Sequence, residues 1–245
     1  MDAELIVVDN DSEDETASIA AAAGARVLSL RRDKFSFGGA LNLGAAAAGG
    51  DLLVALSAHA FPLDSEWLAR TAATFEDPAV ACACGERYAP DGSRLTAPVR
   101  FDRGLAQRHP TWGYSNAAGA FRAGLWRERP FREDLPACED REWGRYWTSE
   151  GYVCVLDPGL VVDHDHTHDS VRAIFSRSRR ETAGFAAFLG DGALEGAASG
   201  RLSAAAAEWW SDTRFYDNPW RARLSHRRLA RIAGALAGAR GANVL

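Results

Sequence analysis

The chain has 245 residues, of which 47% are hydrophobic and 25% are charged, as in an ordinary folded protein. This composition excludes a disordered or collagen-like chain, and the length allows one large α/β core with a tail. No apolar stretch approaches the roughly 18 residues of a membrane-spanning helix, and no signal peptide opens the chain, so we expect a cytoplasmic protein.

The formal net charge of -5 hides a basic C-terminal segment. Residues 219–245 contain six arginines and no Asp or Glu. Such a segment suits the anionic inner face of a membrane or a nucleic acid, although a solvated helix face explains it as well. We predict peripheral membrane contact through this segment and no nucleic-acid partner.

The first predicted element is a strand over residues 4–9 that ends in short polar side chains, followed by a helix over 14–23. In a parallel sheet, polar residues at such a strand end often face a nucleotide, although capping the next helix is their commoner use. Asp9, Asn10 and Asp11 are therefore candidates for contacts with a nucleotide.

A second short strand is predicted over residues 26–30, and an alanine-rich helix over 40–48 contains Asn42. Gly38 and Gly39 precede this helix. Their spacing is not that of a dinucleotide-binding fingerprint, so they are weak evidence for a phosphate loop. Close approach of the backbone explains them equally.

The apolar run within residues 50–62 organises the rest of the chain. It is typical of a strand that is buried on both faces of an open α/β sheet. Ligands of such sheets bind at the carboxyl ends of the strands. Ser57, Ala58 and His59 therefore mark the expected site.

The middle of the chain departs from the alternation of strand and helix. Residues 80–88 and 95–101 alternate like a hairpin or two edge strands. The segment 112–121 mixes aromatic and small residues, among them Trp112 and Tyr114, which suits either the approach of a ligand or tight core packing.

Two adjacent carboxylates, Glu139 and Asp140, precede a predicted helix over residues 141–151. Carboxylates at a helix start are usually capping and dipole partners, but a general base would occupy the same place. Trp143 and Trp147 lie four residues apart on one face of this helix, where core packing is the commoner role of tryptophan.

Three histidines alternate with other residues at positions 164, 166 and 168. In an extended segment His164, His166 and His168 would project to one side, where they could bind a divalent cation. The glycine- and alanine-rich stretch that follows predicts a linker. We therefore expect a catalytic domain over residues 1–190 and a helical, basic extension over residues 191–245.

Five segments in this order resemble motifs of the family 2 glycosyltransferases of the GT-A fold, and most closely those of the bacterial rhamnosyltransferase-like branch. Residues 5–12 resemble the VVDDGS turn that contacts the nucleotide base, and 37–51 resemble the G-x-x-x-N-x-G…A-x-G-D stretch. Residues 57–62 lie where the family has its metal-binding DxD, 139–140 match its ED motif, and 162–170 resemble its late HxH segment.

The resemblance implies a mixed, mostly parallel central sheet flanked by helices, with the family's N-terminal strand apparently missing and a C-terminal helical tail. It implies an inverting transferase that moves a sugar from a nucleotide-diphosphate donor to a hydroxyl of a glycan or lipid-linked acceptor, in bacterial cell-surface polysaccharide or glycoconjugate synthesis. The implied residue roles are catalysis by Asp140 and Glu139; donor binding by Asp9, Asn10, Asp11, Asn42, Ser57 and Ala58; acceptor binding by Trp112, Tyr114 and Trp143; and metal binding by His59, His164 and His166.

The chain departs from the family at the metal motif, where Ala58 and His59 replace the acidic ligand. The cofactor expected from the resemblance is Mn²⁺ or Mg²⁺, and imidazole ligands favour Mn²⁺ or a later transition metal over Mg²⁺. Catalysis without a metal also remains open.

Two other functions fit parts of the sequence. The run from His164 to Asp169 superficially resembles the HxHxDH cluster of metallohydrolases, although there the Asp precedes the third His. A GT-A-like protein that binds a sugar or a partner without turnover is the second alternative.

Overall fold

The structure is a computed structural model that describes residues 3–164, 169–190 and 219–241. The described residues form two units: residues 3–135 with 139–164, and residues 136–138 with 169–190 and 219–241. The helix that ends at Leu189 packs with the C-terminal helix, and the predicted domain boundary at residue 190 stays a prediction. The rest of the predicted extension, residues 191–218 and 242–245, lies outside the described residues.

The first unit alternates short strands and helices along the chain. Its strands are β1 (Ile6–Asp9), β2 (Arg26–Ser29), β3 (Leu52–Leu56), β4 (Ala60–Pro62), β5 (Val80–Gly85), β6 (Val99–Phe101), β7 (Ala118–Arg122), β8 (Val153–Asp157) and β9 (Val162–His164). Its helices are α1 (Thr16–Ala22), α2 (Phe37–Ala47), α3 (Trp67–Thr74), α4 (Arg103–Arg108), α5 (Ala123–Glu128) and α6 (Glu139–Ser149), with 3₁₀ turns at Arg32–Lys34 and Pro158–Leu160.

The central sheet has five strands in the order β3-β7-β5-β8-β6, and β1-β2 and β4-β9 form separate pairs. A mixed sheet flanked by helices is therefore confirmed. The expectation of a mostly parallel sheet is wrong for these five strands, because only β5 and β8 pair in parallel. The strands β7 and β6 are antiparallel to every neighbour, which leaves one parallel pair in this sheet.

The strand β5 is the buried centre of this sheet. Its residues Val80–Cys84 are buried, as expected for a continuous apolar run between two neighbours. The strand β3 was predicted to be buried on both faces, but among the described strands it pairs only with β7. Its side chains Val54 and Leu56, which share one face of the strand, are 39% and 47% exposed, so this face is not covered.

An aromatic cluster holds α6 against the sheet. Trp143 of α6 is fully buried and contacts the rings of Phe121 and Phe131 at centroid distances of 5.7 and 5.4 Å. Its indole N–H donates to the carbonyl of Arg129 at 2.7 Å. These contacts fix the first turn of α6, where the two predicted catalytic carboxylates lie.

The second unit contains the helices α7 (Val171–Leu189) and α8 (Pro219–Gly241). Glycines let the two helices approach closely, since a Cβ atom at Gly234 or Gly238 would lie 2.3 Å from a carbonyl oxygen of α7. A helical C-terminal tail is therefore confirmed. Within the described ranges, no helix is long and apolar enough to cross a membrane.

Candidate active site

The turn after β1 is held by its own polar groups. The carboxylate of Asp9 accepts a hydrogen bond from the N–H of Ser12 at 3.3 Å, and that of Asp11 accepts from the N–H of Arg32 at 2.7 Å. Asp11 has a φ of 50°, a left-handed conformation that Asp tolerates better than most residues. Asn10 Oδ1 is buried without a hydrogen-bond partner among the described residues, which leaves it available to a ligand at this predicted donor turn.

Asn42, the other predicted donor residue in this part of the chain, makes structural contacts instead. Its Nδ2 donates to the carbonyl of Phe131 at 2.9 Å and to Glu133 at 2.8 Å. Its Oδ1 accepts from the indole of Trp126 at 2.9 Å and from the N–H of Phe131 at 3.0 Å. An amide has two donors and two acceptor sites, so none is left for a nucleotide sugar.

The carboxyl end of β3 forms a tight turn that presents the predicted metal ligand. The N–H of Ser57 donates to the carbonyl of Ala117, and the N–H of Ala60 donates back to the carbonyl of Ser57, both at 2.9 Å. Ala58 and His59 lie between these anchors and are exposed. The turn therefore directs the His59 side chain away from the core.

Pairing of β4 with β9 brings two predicted metal ligands together. Because Ala60 is the register partner of His164, the rings of His59 and His164 stack with centroids 4.4 Å apart. Their Nε2 atoms are 2.7 Å apart. The third predicted ligand, His166, lies outside the described residues, so its position stays a prediction.

The chemistry of this pair fits a transition metal better than Mg²⁺. Two imidazole nitrogens are ligands that Mn²⁺ and later transition metals accept, whereas Mg²⁺ prefers oxygen. The described part of the chain contains no group of three His, Cys, Asp or Glu side chains that could hold a metal. His59 and His164 would therefore supply only part of a complete coordination shell.

The predicted catalytic carboxylates lie in the first turn of α6. Asp140 Oδ2 accepts from the N–H of Asn116 at 2.9 Å, and its Oδ1 accepts from the N–H of Arg141 at 2.7 Å. Glu139 is only 5% exposed. Burial, with a further contribution from the neighbouring Asp140 carboxylate, raises the pKa of Glu139 to about 8.

One short segment joins the two halves of the site. The N–H of Asn116 binds Asp140, and the next residue, Ala117, binds Ser57 at the end of β3. Asp140 and the turn that carries His59 are therefore anchored one residue apart on the same segment, at the carboxyl end of β3.

Two of the three aromatic residues predicted to bind an acceptor are buried in the core. Trp143 is fully buried and Tyr114 is 1% exposed, so neither ring has a free face for a sugar and both serve in packing. Trp112 is half-buried and packs edge-on against Phe101 at 5.5 Å. Its acceptor role stays a prediction.

A pocket of about 400 Å³ lies beside this segment, between the ends of β5 and β9. Ser115 and Ala117 line one side, and His164 lines another. Arg87 and Tyr88, which follow β5, also line it and were not identified from the sequence. The available signal was a charged and aromatic pair directly after the most buried strand of the sheet.

Comparisons with known proteins agree with this fold. The profile of the family described as glycosyl transferase family 2 matches residues 1–130, which is more than half of the chain. The protein therefore belongs to glycosyl transferase family 2. No curated protein matches the chain.

Solved structures of glycosyltransferases share the fold at low sequence identity. The mannosyltransferase PcManGT from Pyrobaculum calidifontis, solved with GDP-Man and Mn²⁺, aligns with a TM-score of 0.63 and 17% identity over 96% of this chain and 77% of that one. Glucosyl-3-phosphoglycerate synthase from Mycobacterium tuberculosis, with phosphoglyceric acid, aligns at 0.53 and 20% identity over 75% and 68%. TarS 1-349 of S. aureus aligns at 0.52 and 15% identity over 98% and 82%. The GT-A fold is thus confirmed, whereas the rhamnosyltransferase-like branch stays a prediction.

Proposed function

We propose that the protein is an inverting glycosyltransferase that moves a sugar from a nucleotide-diphosphate donor to a hydroxyl of a glycan or lipid-linked acceptor. The process would be the synthesis of cell-surface polysaccharide or glycoconjugate. Support comes from the segment that ties Asp140 and the carboxyl end of β3 together through Asn116 and Ala117. In open α/β sheets, that end of a strand is where ligands bind.

In the proposed reaction, Asp140 takes the proton from the acceptor hydroxyl. The hydroxyl oxygen forms a bond to the anomeric carbon from the face opposite the leaving group, and the bond from that carbon to the diphosphate oxygen breaks. The electron pair leaves with the nucleoside diphosphate. Because the attack comes from the opposite face, the anomeric configuration inverts.

Other side chains would support this step. The buried Glu139, whose raised pKa favours its protonated form, would leave Asp140 as the proton acceptor of the two. Asn10, Asp9 and Asp11 would contact the donor base at the turn after β1. A divalent cation bound by His59 and His164 would supply positive charge against the diphosphate leaving group.

A screen of sugar nucleotides by thermal shift tests the proposal directly, since a ligand that binds the folded protein raises its melting temperature. We expect one sugar nucleotide to raise it, and to raise it further with Mn²⁺. The double variant His59→Ala, His164→Ala should lose only the Mn²⁺-dependent part. If no sugar nucleotide shifts the melting temperature and none is turned over, the proposal is wrong.

The arginines of residues 219–245 support a second part of the proposal, which is contact with the inner face of a membrane. We expect the protein to sediment with anionic vesicles more than with neutral ones at moderate salt. Replacing Arg221, Arg223 and Arg228 by Gln should reduce this difference. Equal sedimentation of both proteins with both vesicles would contradict membrane contact.

A further inference from the structure

The pocket between the ends of β5 and β9 has a floor that belongs to the proposed reaction centre. Ser115 and Ala117 line it, and the residue between them binds Asp140 through its N–H. On another side lies His164, which contacts His59. A molecule in this pocket would therefore contact the segment that binds Asp140 and one member of the histidine pair.

The wall after β5 is held by hydrogen bonds of its own. Glu86 Oε1 accepts hydrogen bonds from the N–H groups of Arg87 and Tyr88, at 2.8 and 3.2 Å. The carbonyl of Arg87 accepts from the N–H of Leu95 at 2.9 Å, which closes the following turn. A preorganised backbone of this kind reduces the entropy that binding would lose.

Tyr88 offers an aromatic face at this wall, because its side chain is 54% exposed although it lines the pocket. An exposed ring combines an apolar face with a polar hydroxyl, which suits a ligand with both C–H and O–H groups. The buried rings of Tyr114 and Trp143 offer no such face.

Charged side chains of both signs line the same pocket as Tyr88. The guanidinium of Arg87 makes one long hydrogen bond, at 3.4 Å, to the carbonyl of Val162, and no described carboxylate pairs with it. Glu86 and Asp163 also line the pocket. Apart from the cation proposed at His59 and His164, the lining carries two carboxylates and one guanidinium, and this net negative charge disfavours an anionic ligand. The hydroxyls of a sugar can donate to carboxylates and accept from a guanidinium.

We propose that this pocket binds the terminal pyranose of an uncharged acceptor glycan, with a C–H face of the sugar against the ring of Tyr88. Arg87 and Asp163 would hydrogen-bond to its hydroxyls. The inference rests on the proposed transferase function and adds the chemical class of the acceptor to it. A volume of about 400 Å³ is within the range of small-molecule pockets.

Acceptor kinetics test the inference with a donor that the protein turns over. The probes are the p-nitrophenyl glucopyranoside, galactopyranoside and mannopyranoside, with the p-nitrophenyl glucuronide and 3-phosphoglycerate as anionic comparisons. We expect at least one neutral pyranoside to accelerate release of nucleoside diphosphate and both anions to be poor acceptors. A preference for the glucuronide or 3-phosphoglycerate would overturn the inference.

Variants at the pocket wall add a second criterion. Tyr88→Leu should raise the acceptor KM about tenfold and leave the donor KM unchanged, whereas Tyr88→Phe, which keeps the ring, should stay within about twofold. Arg87→Met should also raise the acceptor KM. Arg94→Met, in the same turn but outside the pocket lining, is the matched control. An unchanged acceptor KM in Tyr88→Leu would contradict the proposed site.

Binding measured without a donor separates this inference from the proposed function. Saturation-transfer NMR with the same neutral pyranosides should detect contact with the wild-type protein and a loss of signal in Tyr88→Leu. If no sugar nucleotide is turned over but the pyranosides bind in this way, only the transferase proposal fails. If sugar nucleotides are turned over but no pyranoside binds or accepts, only the acceptor inference fails.

Discussion

At the scale of single residues, Asn42 shows how a residue from a recognised motif can serve the fold. Its amide ties α2 to the segment before α6 through Phe131, Glu133 and Trp126. Asn42→Asp would direct a carboxylate oxygen at a carbonyl and at the carboxylate of Glu133, with no proton to share. We expect a loss of about 2–4 kcal/mol in the free energy of unfolding, measured by urea denaturation.

Glu133→Gln is the control for this prediction, because it removes only the charge of the exposed partner and keeps an oxygen that can accept from Asn42, so it should cost under about 1 kcal/mol. Donor binding by the folded Asn42→Asp protein should stay close to that of the wild type. If the Asn42→Asp protein were as stable as the wild type but did not bind the donor, Asn42 would be a donor-binding residue instead.

Glu139 gives a prediction about pH. Its pKa of about 8 in the folded protein lies above the value near 4.5 of an unfolded chain, so folding favours its protonated form. The unfolded chain releases this proton first, and the free energy of unfolding should fall as pH rises from about 4.5 to 8. Glu139→Gln carries no such proton, and its free energy of unfolding should fall by about 3–4 kcal/mol less than that of the wild type between pH 5 and 8.

Thermal or chemical unfolding of both proteins at several pH values measures this difference. Parallel stability curves for wild type and Glu139→Gln would contradict the assignment. The same variant bears on catalysis, since it keeps a neutral side chain beside Asp140 and should preserve much of the turnover.

At the scale of elements, the packing of α6 against the core requires glycine at a position where a side chain would collide with Tyr114. A Cβ atom at Gly144 would lie 2.8 Å from Cβ of the buried Tyr114. A Cβ atom at Gly119 of β7 would lie 2.7 Å from the ring of the same tyrosine. Tyr114 therefore has little room to move. Gly144→Ala should lower the free energy of unfolding by about 1–3 kcal/mol, more than the roughly 1 kcal/mol that alanine adds to a helix.

Gly124→Ala in α5 is the matched control, since nothing lies within 4 Å of its added Cβ. It should raise the free energy of unfolding by about 0.5–1 kcal/mol. Similar effects of the two substitutions would mean that Tyr114 does not restrain α6.

The elements with a clear periodic pattern could be predicted from the sequence. The helix predicted over 14–23 contains α1, and the first two strands lie where the strands over 4–9 and 26–30 were expected. The strand β7 could not be recognised, because its residues Ala118–Arg122 include alanine and glycine, which have low strand propensity. Its burial comes from neighbours that are distant in the sequence.

Strand order is a second property that local patterns do not encode. The apolar run of β3 predicts a buried position, but the observed order leaves it at an edge. Residues 80–88 and 95–101 suggested a hairpin or two edge strands. In the structure β8 lies between β5 and β6, so the two strands form no hairpin, and only β6 lies at an edge. Pairing over long sequence separations decides both arrangements.

At the scale of the whole molecule, the candidate site combines parts of the first unit that are distant in the sequence. The motif resemblance identified Asp140, His59 and His164. Asp140 binds the segment at the carboxyl end of β3, and His59 and His164 contact each other. It could not identify Arg87 or Tyr88, because the pocket that makes them relevant depends on where β9 lies. The motifs therefore predicted the residues of the proposed chemistry, whereas the structure was needed to find the proposed acceptor pocket.

The central claim is that Asp140 is the proton acceptor of a sugar transfer, and Asp140→Asn tests it most directly. Release of nucleoside diphosphate should be compared between wild type and variant, together with the thermal shift caused by the donor. We expect a rate at least about 100-fold lower with an unchanged donor-induced shift, because a general base contributes about that much. An undiminished rate in a folded, donor-binding Asp140→Asn protein would contradict the account.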